Sequence, residues 1–482
     1  MKLQRPELFK QQAYINGEWI DANDGATLDV TNPATGKVIG TVPKMGEAET
    51  NAAIKAANEA FGPWKSRTAK DRAGVLRKFA DLMMANQKDL ATILTTEQGK
   101  PFPEAMGEIA YAASFFEWFG EEGKRVYGDV IPQTIPNQRL LTIKQPIGVV
   151  GAITPWNFPS AMMTRKAGPA FAAGCPVVTK PSEETPFSML ALCVLAEEAG
   201  IPKGIFNVVM GDAPAIGGAL MASTDVKKVT FTGSTRVGQI LMEQSGATIK
   251  KLSLELGGNA AFIVFDDADI DAAVQGAIIC KYRNAGQTCV CANRILVHSS
   301  VYVEFVDKFI AETKKLKIGN GADEGVSQGP LINEAAIIKV EEHIADALAK
   351  GGTLKLGGKR HALGQTFFEP TIITDATEDM VFAQVETFGP MAPIFKFETE
   401  EEALEIANST PFGLASYFYA NDMGRVWRIA EGLETGIVGV NTGIISTEVA
   451  PFGGIKMSGL GREGSKYGIE DFLEIKYINI SL

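Results

Sequence analysis

Apolar residues follow two different patterns along this chain. From Gly46 to Gly123 they recur every three or four residues, which predicts amphipathic helices over 47–61 and 69–86. From Gly148 onward, short apolar runs alternate with helical stretches. This alternation is typical of βαβ units, which build a parallel sheet with helices on both faces.

Five apolar runs in this second part predict buried parallel strands, over 148–153, 177–180, 205–210, 227–231 and 252–255. The helices predicted between them cover 162–173, 187–199, 215–222 and 236–245. Ligands of such sheets bind at the carboxyl ends of the strands, so we expect a site there.

A second α/β pattern begins near Phe262. It predicts helices near 300–316, 333–350, 399–408 and 424–434, and a strand over 437–440. A chain of 482 residues is too long for one simple core. We therefore expect an α/β protein with two large lobes.

Extended segments lie near both ends of the chain. Residues 12–20 predict a hairpin around Asn16-Gly17. The segments 139–144 and 470–480 also look like strands. Because an unpaired edge strand invites association, we expect 470–480 to pair with 139–144 of a neighbouring subunit, and the protein to be a homo-oligomer.

Composition narrows the functional classes. The chain is 45% hydrophobic and 21% charged, with a net charge of −11, which argues against nucleic acid or an anionic membrane as the main partner. No signal peptide and no apolar run of membrane-spanning length is visible. Five irregularly spaced cysteines fit a reduced cytoplasm, and three scattered histidines argue against a metal site.

The loop 284–294 carries a cysteine in an unusual setting. Cys289 is flanked by small and polar residues, between a helical run at 272–282 and a strand-like run at 295–298. It is either a thiol presented for chemistry or, like most free cysteines, buried and inert. Position alone favours the inert interpretation.

Two glycine patterns compete for a dinucleotide. Gly459 to Gly464 matches G-x-G-x-x-G literally, but no strand leads into it and too few residues remain for a βαβ unit. Phe231 to Gly238 follows a predicted strand and opens a helix, so its backbone N–H groups could hold a pyrophosphate. A glycine turn without a cofactor fits this second stretch alone equally well.

Polar side chains follow several of the predicted strands. Asn157 suits an oxyanion hole, Lys180 a ribose, and Glu255 general-base chemistry. Each alone could be a turn or surface residue. Together with Cys289 and the turn at Ser234 they describe one reaction, in which a thiolate adds to an aldehyde, a nicotinamide takes hydride, and Glu255 activates water to hydrolyse a thioester.

The chain resembles an aldehyde dehydrogenase over nearly its whole length. The matching motifs are 154–159 (TPWNFP), 231–235 (FTGST), 254–258 (LELGG), 286–289 (GQTC) and 386–390 (ETFGP). The resemblance implies a Rossmann-like cofactor domain (1–122 and 143–254), an α/β catalytic domain (255–462) and a bridging β-arm for oligomerisation (123–142 and 463–482). It also implies a dimer or tetramer.

The resemblance also assigns residues. It gives Cys289 as nucleophile, Glu255 as base and Asn157 as oxyanion donor, with Lys166 and Glu463 on a proton path. The residues expected to contact an NAD(P) cofactor are Ile153, Trp156, Lys180, Ser182, Glu183, Gly217, Thr232, Gly233, Ser234, Leu256, Glu386 and Phe388.

Within the family the likeness is greatest to bacterial succinate-semialdehyde dehydrogenases. The stretches that carry it are 163–166, 281–284, 289–294, 441–446 and 463–468. Arg165 and Arg283 can bind an ω-carboxylate and Ser446 can add a hydroxyl, although each arginine could instead form an ordinary ion pair. Glutarate semialdehyde is a close competitor, because one methylene is discriminated only about 10–200-fold.

The sequence leaves two questions open, the choice between NAD and NADP and the role of Cys291. Glu183 stands where NADP-using relatives tend to carry a small residue, so NAD is preferred, although Lys180 and Ser182 could still hold a 2′-phosphate. Cys291 could form a disulfide with Cys289 as a redox switch, or simply be a packing residue.

Two other functional classes fit the sequence less well. A non-catalytic structural protein would have lost the nucleophile or the base, and a CoA-acylating enzyme would not need Glu255.

Overall fold

The structure is a computed structural model that describes residues 1–482, and most periodic segments form the predicted elements. The helices are α1 (Glu47–Lys65), α2 (Ala69–Ala85), α3 (Gln87–Gln98), α4 (Phe102–Glu122), α5 (Pro159–Ala173), α6 (Pro186–Ala199), α7 (Ala213–Ala222), α8 (Thr235–Ser245), α9 (Ile270–Tyr282), α10 (Tyr302–Thr313), α11 (Glu334–Ala349), α12 (Glu400–Asn408) and α13 (Met423–Gly432). Measured by length and hydropathy, none of these helices could span a lipid bilayer.

The strands are short, and most are apolar. They are β1 (Ala13–Ile15), β2 (Glu18–Ile20), β3 (Thr27–Asn32), β4 (Lys37–Pro43), β5 (Val130–Ile131), β6 (Gln138–Pro146), β7 (Val149–Ile153), β8 (Val177–Lys180), β9 (Phe206–Val208), β10 (Val226–Thr232), β11 (Lys251–Glu255), β12 (Ala260–Val264), β13 (Ala292–His298), β14 (Thr353–Leu356), β15 (Thr371–Thr374), β16 (Met391–Phe397), β17 (Phe412–Gly413), β18 (Ala415–Tyr419), β19 (Ile437–Val440), β20 (Ile455–Lys456), β21 (Gly459–Leu460) and β22 (Leu473–Ser481).

The first sheet has the order β2-β1-β9-β8-β7-β10-β11-β21, and its five central strands are parallel. The strand order reverses between β7 and β10, which opens a crevice at their carboxyl ends. The register aligns Ile153 with Lys180 and Thr232 with Glu255. The predicted doubly wound parallel sheet is therefore confirmed.

The second sheet has the order β14-β15-β16-β13-β12-β18-β19 and is parallel except for β14. Apolar residues cover both of its faces, in two separate core clusters. The loop that carries Cys289 lies between α9 and β13, a central strand of this sheet. The nucleophile candidate thus comes from a different lobe than Asn157 and Glu255.

A third sheet, β22-β6-β5, corrects one prediction. The strand β22 pairs antiparallel with β6 of the same chain, from Leu473 opposite Pro146 to Ser481 opposite Gln138. The prediction that it pairs with a neighbouring subunit was wrong. The sequence pattern gave no warning, because antiparallel hydrogen bonding is the same within one chain as between two.

The two glycine stretches also differ in structure. Gly459 and Leu460 form β21, which pairs antiparallel with β11 at the edge of the first sheet, and no α-helix follows. The stretch at Gly233 leads from β10 directly into α8, whose N-cap is Ser234. Only the second stretch has the strand-to-helix geometry of a phosphate-binding turn.

Candidate active site

A cavity of about 390 Å³ opens between the crevice of the first sheet and the Cys289 loop. Twelve of the residues predicted from sequence line it: Trp156, Asn157, Arg165, Thr232, Gly233, Ser234, Leu256, Arg283, Cys289, Glu386, Phe388 and Ser446. The others lie outside its lining: Ile153, Lys166, Lys180, Ser182, Glu183, Gly217, Glu255, Cys291 and Glu463. The cavity therefore brings together residues from both lobes.

The loop before Cys289 is strained. Asn284, Ala285 and Gly286 have φ of 52°, 56° and 76°, the left-handed region that non-glycine residues rarely adopt. The carboxylate of Glu104 accepts the N–H of Asn284 at 2.8 Å and so helps to hold this turn. The result is a half-buried thiol fixed at the cavity wall.

The thiol of Cys289 is protonated at neutral pH. Burial raises its pKa to about 12, and the nearby carboxylate of Glu386 adds to the shift. The guanidinium groups of Arg165 and Arg283 oppose the shift without cancelling it. Because the thiolate is the nucleophile, this thiol must lose its proton as part of any reaction.

Asn157 follows β7 and lies buried in the cavity wall. Its Nδ2 donates to the backbone oxygen of Gln287 at 3.1 Å, and its Oδ1 has no partner. The contact with Gln287 fixes the amide next to the Cys289 loop. An amide N–H held in this way is the kind of donor that stabilises an oxyanion.

Glu255 is the last residue of β11 and is buried. Burial raises the pKa of its carboxyl well above the ordinary value, and the charge of Glu463 adds to the shift. Its Oε2 has no hydrogen-bond partner. The alternative of a solvated carboxylate is thus wrong, although Glu255 lies outside the cavity lining.

Glu463 joins two basic residues of α5. Its carboxylate lies 2.8 Å from Nη2 of Arg165, and it accepts a hydrogen bond from Nζ of Lys166, which also donates to Oγ1 of Thr232 at 2.6 Å. Burial opposes its ionisation, but Lys166 and Arg165 outweigh burial and keep the pKa of Glu463 below its ordinary value. Arg165 therefore has a structural ion pair in addition to its place in the cavity wall.

Arg165 and Arg283 differ in the contacts that their guanidinium groups make. Nε of Arg165 has no hydrogen-bond partner, and its guanidinium stacks 3.9 Å from the ring of Phe452. Arg283 has no carboxylate within 4.0 Å, and its guanidinium lies 5.4 Å from the ring of Phe158. Two guanidinium groups and the Ser446 hydroxyl thus line one cavity with unused donors.

Seven of the residues predicted to contact a dinucleotide, besides Trp156, lie at the ends of β7, β8 and β10 or just after them: Ile153, Lys180, Ser182, Glu183, Thr232, Gly233 and Ser234. Ser234 caps the exposed end of α8, accepting the N–H of Val237 at 3.4 Å. A Cβ added at Gly217 would meet nothing within 4 Å, so there is open space beside α7. Nζ of Lys180 donates to Glu183 at 2.7 Å. An exposed helix N-terminus, open space and polar groups at the strand ends fit a bound dinucleotide.

Glu386 and Phe388 form the side of the cavity that faces these residues. Glu386 accepts the N–H of Gly258 at 3.1 Å, and burial raises its pKa to about 7. Phe388 has φ of +56°, and its ring stands edge-on to Trp156 at 5.5 Å. A left-handed aromatic residue in a cavity wall indicates local strain that the surrounding packing maintains.

Cys291 faces away from the cavity. Its thiol donates to the backbone oxygen of Gly286 at 3.3 Å, and Nζ of the buried Lys281 lies 3.5 Å from its sulfur. All five cysteines are free. The packing interpretation of Cys291 fits these contacts better than the redox switch, which stays a prediction.

Of the 24 residues that line the cavity, twelve were not predicted from the sequence. Three of these twelve have long polar or aromatic side chains of interest: Tyr111 on α4, Lys339 on α11 and Phe452. A signal existed for the first, because Glu104, Glu108 and Tyr111 form one polar row, at spacings of four and three, in the otherwise apolar stretch 102–113 of α4. No group of three or more His, Cys, Asp or Glu residues is placed to hold a metal ion.

Comparison with known proteins places this site in context. The model of the aldehyde dehydrogenase family matches residues 19–478. The chain is 63% identical to a glutarate-semialdehyde dehydrogenase of Pseudomonas aeruginosa over 99% of both chains. It is 62% identical to the NADP(+) succinate-semialdehyde dehydrogenase GabD of Escherichia coli over 100% of both. A crystal structure of succinate-semialdehyde dehydrogenase from Burkholderia pseudomallei superimposes with a TM-score of 0.99 at 61% identity, covering 100% of both chains.

Proposed function

The chain belongs to the aldehyde dehydrogenase family, and we propose that its substrate is succinate semialdehyde, which it oxidises to succinate. It is an NAD(P)-dependent oxidoreductase that acts on aldehydes. The observation that carries the proposal is the guanidinium of Arg283, which lines the same cavity as Cys289 and has no carboxylate partner. A partly buried guanidinium in a cavity wall, with no carboxylate partner, favours an anionic ligand.

The proposed reaction begins at Cys289. Its sulfur loses a proton and adds to the aldehyde carbon, while Nδ2 of Asn157 and the N–H of Cys289 stabilise the oxyanion. A dinucleotide held at Ser234 and the N-terminus of α8 would supply an oxidised nicotinamide as the hydride acceptor for this carbon. The substrate is then held as a thioester on Cys289.

Hydrolysis completes the cycle. We assign Glu255 as the base that takes a proton from water as the water attacks the thioester. The acid leaves, and Cys289 recovers its thiol. Burial raises the pKa of Glu255 above its ordinary value, which makes its carboxylate a stronger base. We assign Lys166 and Glu463, which are joined by an ion pair, to the path by which the proton leaves.

Steady-state kinetics tests the substrate proposal. We expect kcat/KM for succinate semialdehyde to exceed that for butanal at least about a hundredfold, and Arg283→Ala to lower only the former, by about 10–150-fold, the value of a hydrogen bond to a charged group. Arg77→Ala, at an exposed arginine outside the cavity, is the matched control. Equal use of both aldehydes by the wild type would overturn the proposal.

Glutarate semialdehyde is the second candidate substrate. The relative from Pseudomonas aeruginosa carries that name, and a cavity of this kind discriminates one methylene only about 10–200-fold. The same kinetic series with glutarate semialdehyde ranks the two semialdehydes by kcat/KM.

We further propose that NAD is preferred over NADP. The carboxylate of Glu183 is half-exposed beside Lys180, where it can accept from a ribose 2′-hydroxyl and would repel a 2′-phosphate. We expect a higher kcat/KM with NAD and a shift toward NADP in Glu183→Ser. A clear NADP preference in the wild type, as in the name of the Escherichia coli relative, would contradict this.

The oligomeric state and the domain bounds are proposals as well. The outer edge of β22 has no strand beside it, and Ile475 and Tyr477 on it are 68% and 56% exposed, which supports a homodimer or tetramer built through the arm. The sequence-based arm, 123–142 and 463–482, is the unit we assign to assembly. The strand β6 continues past residue 142 to Pro146, so the arm sheet extends beyond that bound.

We also propose a cytoplasmic location, which cell fractionation tests.

A further inference from the structure

Tyr111 has a polar group that the reaction above does not use. Its hydroxyl oxygen is buried and has no hydrogen-bond partner, although the residue lines the cavity. A buried hydroxyl without a partner is costly and is therefore rare in folded proteins. This donor is available to whatever fills the cavity.

The surroundings of Tyr111 fix where the hydroxyl lies. Its ring packs edge-on against Phe115 one helical turn further along α4, with centroids 4.9 Å apart. The guanidinium of Arg165 lies 5.9 Å from the ring of the same Phe115. Tyr111 and Arg165 thus both pack on Phe115, and Arg283 lines the same cavity as these two residues.

We propose that Tyr111 Oη donates a hydrogen bond to the distal carboxylate of the substrate and is a specificity-determining residue beside Arg165 and Arg283. This inference rests on the proposed function. A carboxylate has about four lone-pair sites, more than one guanidinium fills. A neutral aldehyde would leave the hydroxyl unpaired, and such an unpaired group discriminates strongly against the ligand that lacks its partner.

Tyr111→Phe tests the assignment, because it removes one oxygen and keeps the ring. We expect kcat/KM for succinate semialdehyde to fall about tenfold or more, mainly through KM, with butanal unaffected. Tyr302→Phe is the control, since its hydroxyl donates to Ile394 outside the cavity. A change of less than about twofold for the semialdehyde in Tyr111→Phe would overturn the assignment.

Two outcomes separate this inference from the proposed function. If Arg283→Ala loses the preference for the charged aldehyde and Tyr111→Phe keeps it, only the role of Tyr111 fails. If the wild type has no such preference, the proposed function itself fails. Succinate inhibition gives a second measurement, and we expect the inhibition constant to rise in Tyr111→Phe.

An independent observation concerns the buried pair Lys100 and Glu108. Both side chains are fully buried, with Nζ 2.6 Å from Oε2 of Glu108. The same Nζ donates to the backbone oxygen of Asn157 at 2.7 Å. Oε1 of Glu108 accepts the N–H groups of Ser160 and Ala161, in the first turn of α5. The pair thus ties both ends of the short segment that carries Asn157.

We infer that Lys100 and Glu108 are positioning residues that hold Asn157 as the oxyanion donor of the proposed reaction. Burying two charges is expensive unless geometry and further hydrogen bonds compensate for lost water. Here every additional side-chain hydrogen bond of the pair goes to a backbone group of the Asn157 segment, and Nζ of Lys100 also lies 3.7 Å from the ring centroid of Phe158 in that segment. The compensation therefore also fixes the position of Asn157.

A double-mutant cycle tests the positioning role. We expect Lys100→Met to lower kcat about tenfold or more for succinate semialdehyde and butanal alike, because the oxyanion forms on both. In an Asn157→Ala background the same change should cost less than about twofold. Equal losses in both backgrounds would overturn the inference.

Glu108→Gln is the second variant, for use if Lys100→Met does not fold. It keeps the volume, and we expect the same dependence on Asn157. An Asn157→Ala enzyme with normal kcat would show instead that the proposed oxyanion role of Asn157 is wrong.

Discussion

At the scale of single residues, the protonation state of the Cys289 thiol controls its reactivity. Its pKa of about 12 means that the thiolate fraction rises tenfold for each unit of pH throughout the neutral range. We predict that alkylation of the cofactor-free enzyme by iodoacetamide accelerates about tenfold per unit between about pH 7 and 9 without levelling, whereas an ordinary thiol levels near pH 8.5. Cys289→Ser identifies the modified site, and a plateau below pH 9 would contradict the prediction.

Glu255 is the second decisive residue, since its carboxyl is buried and has an unpartnered oxygen. If it activates water for hydrolysis, Glu255→Gln should lower kcat about 10²–10⁴-fold, the usual range for a general base. The first turnover should still release about one reduced cofactor per active site, because hydride transfer precedes hydrolysis. Stopped-flow absorbance measures this burst. Complete loss of the burst would show that Glu255 acts at or before hydride transfer.

At the scale of elements, the strand β22 has one paired edge and one free edge. Its inner edge pairs with β6 over its whole length, and its outer edge stays free with exposed apolar side chains. We predict that Ile475→Lys with Tyr477→Lys lowers the oligomeric state, because both residues lie on one face of the strand. Light scattering after gel filtration measures the mass, with Lys476→Ala on the opposite face as control. An unchanged mass would exclude this face from the interface.

At the scale of the whole molecule, the dinucleotide should stabilise the fold. A ligand that binds only the native state adds about 2.7 kcal/mol at 100 times its Kd. We predict a larger rise in Tm with NAD than with NADP at equal concentration, because Glu183 lies exposed beside Lys180 at the carboxyl end of β8. Differential scanning fluorimetry measures it, and Glu183→Ser should reduce the difference. A larger rise with NADP would contradict the proposal.

The sequence by itself determined the α/β architecture and which residues meet at the sheet edge. Parallel strands share one carboxyl end, so local patterns were enough to bring Asn157, Ser234 and Glu255 to one side of the sheet. The motif at 286–289 could contribute to the family resemblance because its residues are contiguous in the chain.

Only the tertiary structure decided contacts between residues that are distant in the chain. It paired β22 with β6 of the same chain, tied Arg165 to Glu463, and kept Glu255 outside the cavity lining. It also brought Tyr111 of α4 into the cavity that Arg165 and Arg283 line. Periodicity records which face of an element is buried, but not which other element covers that face. The packing of the two lobes supplied the missing partners.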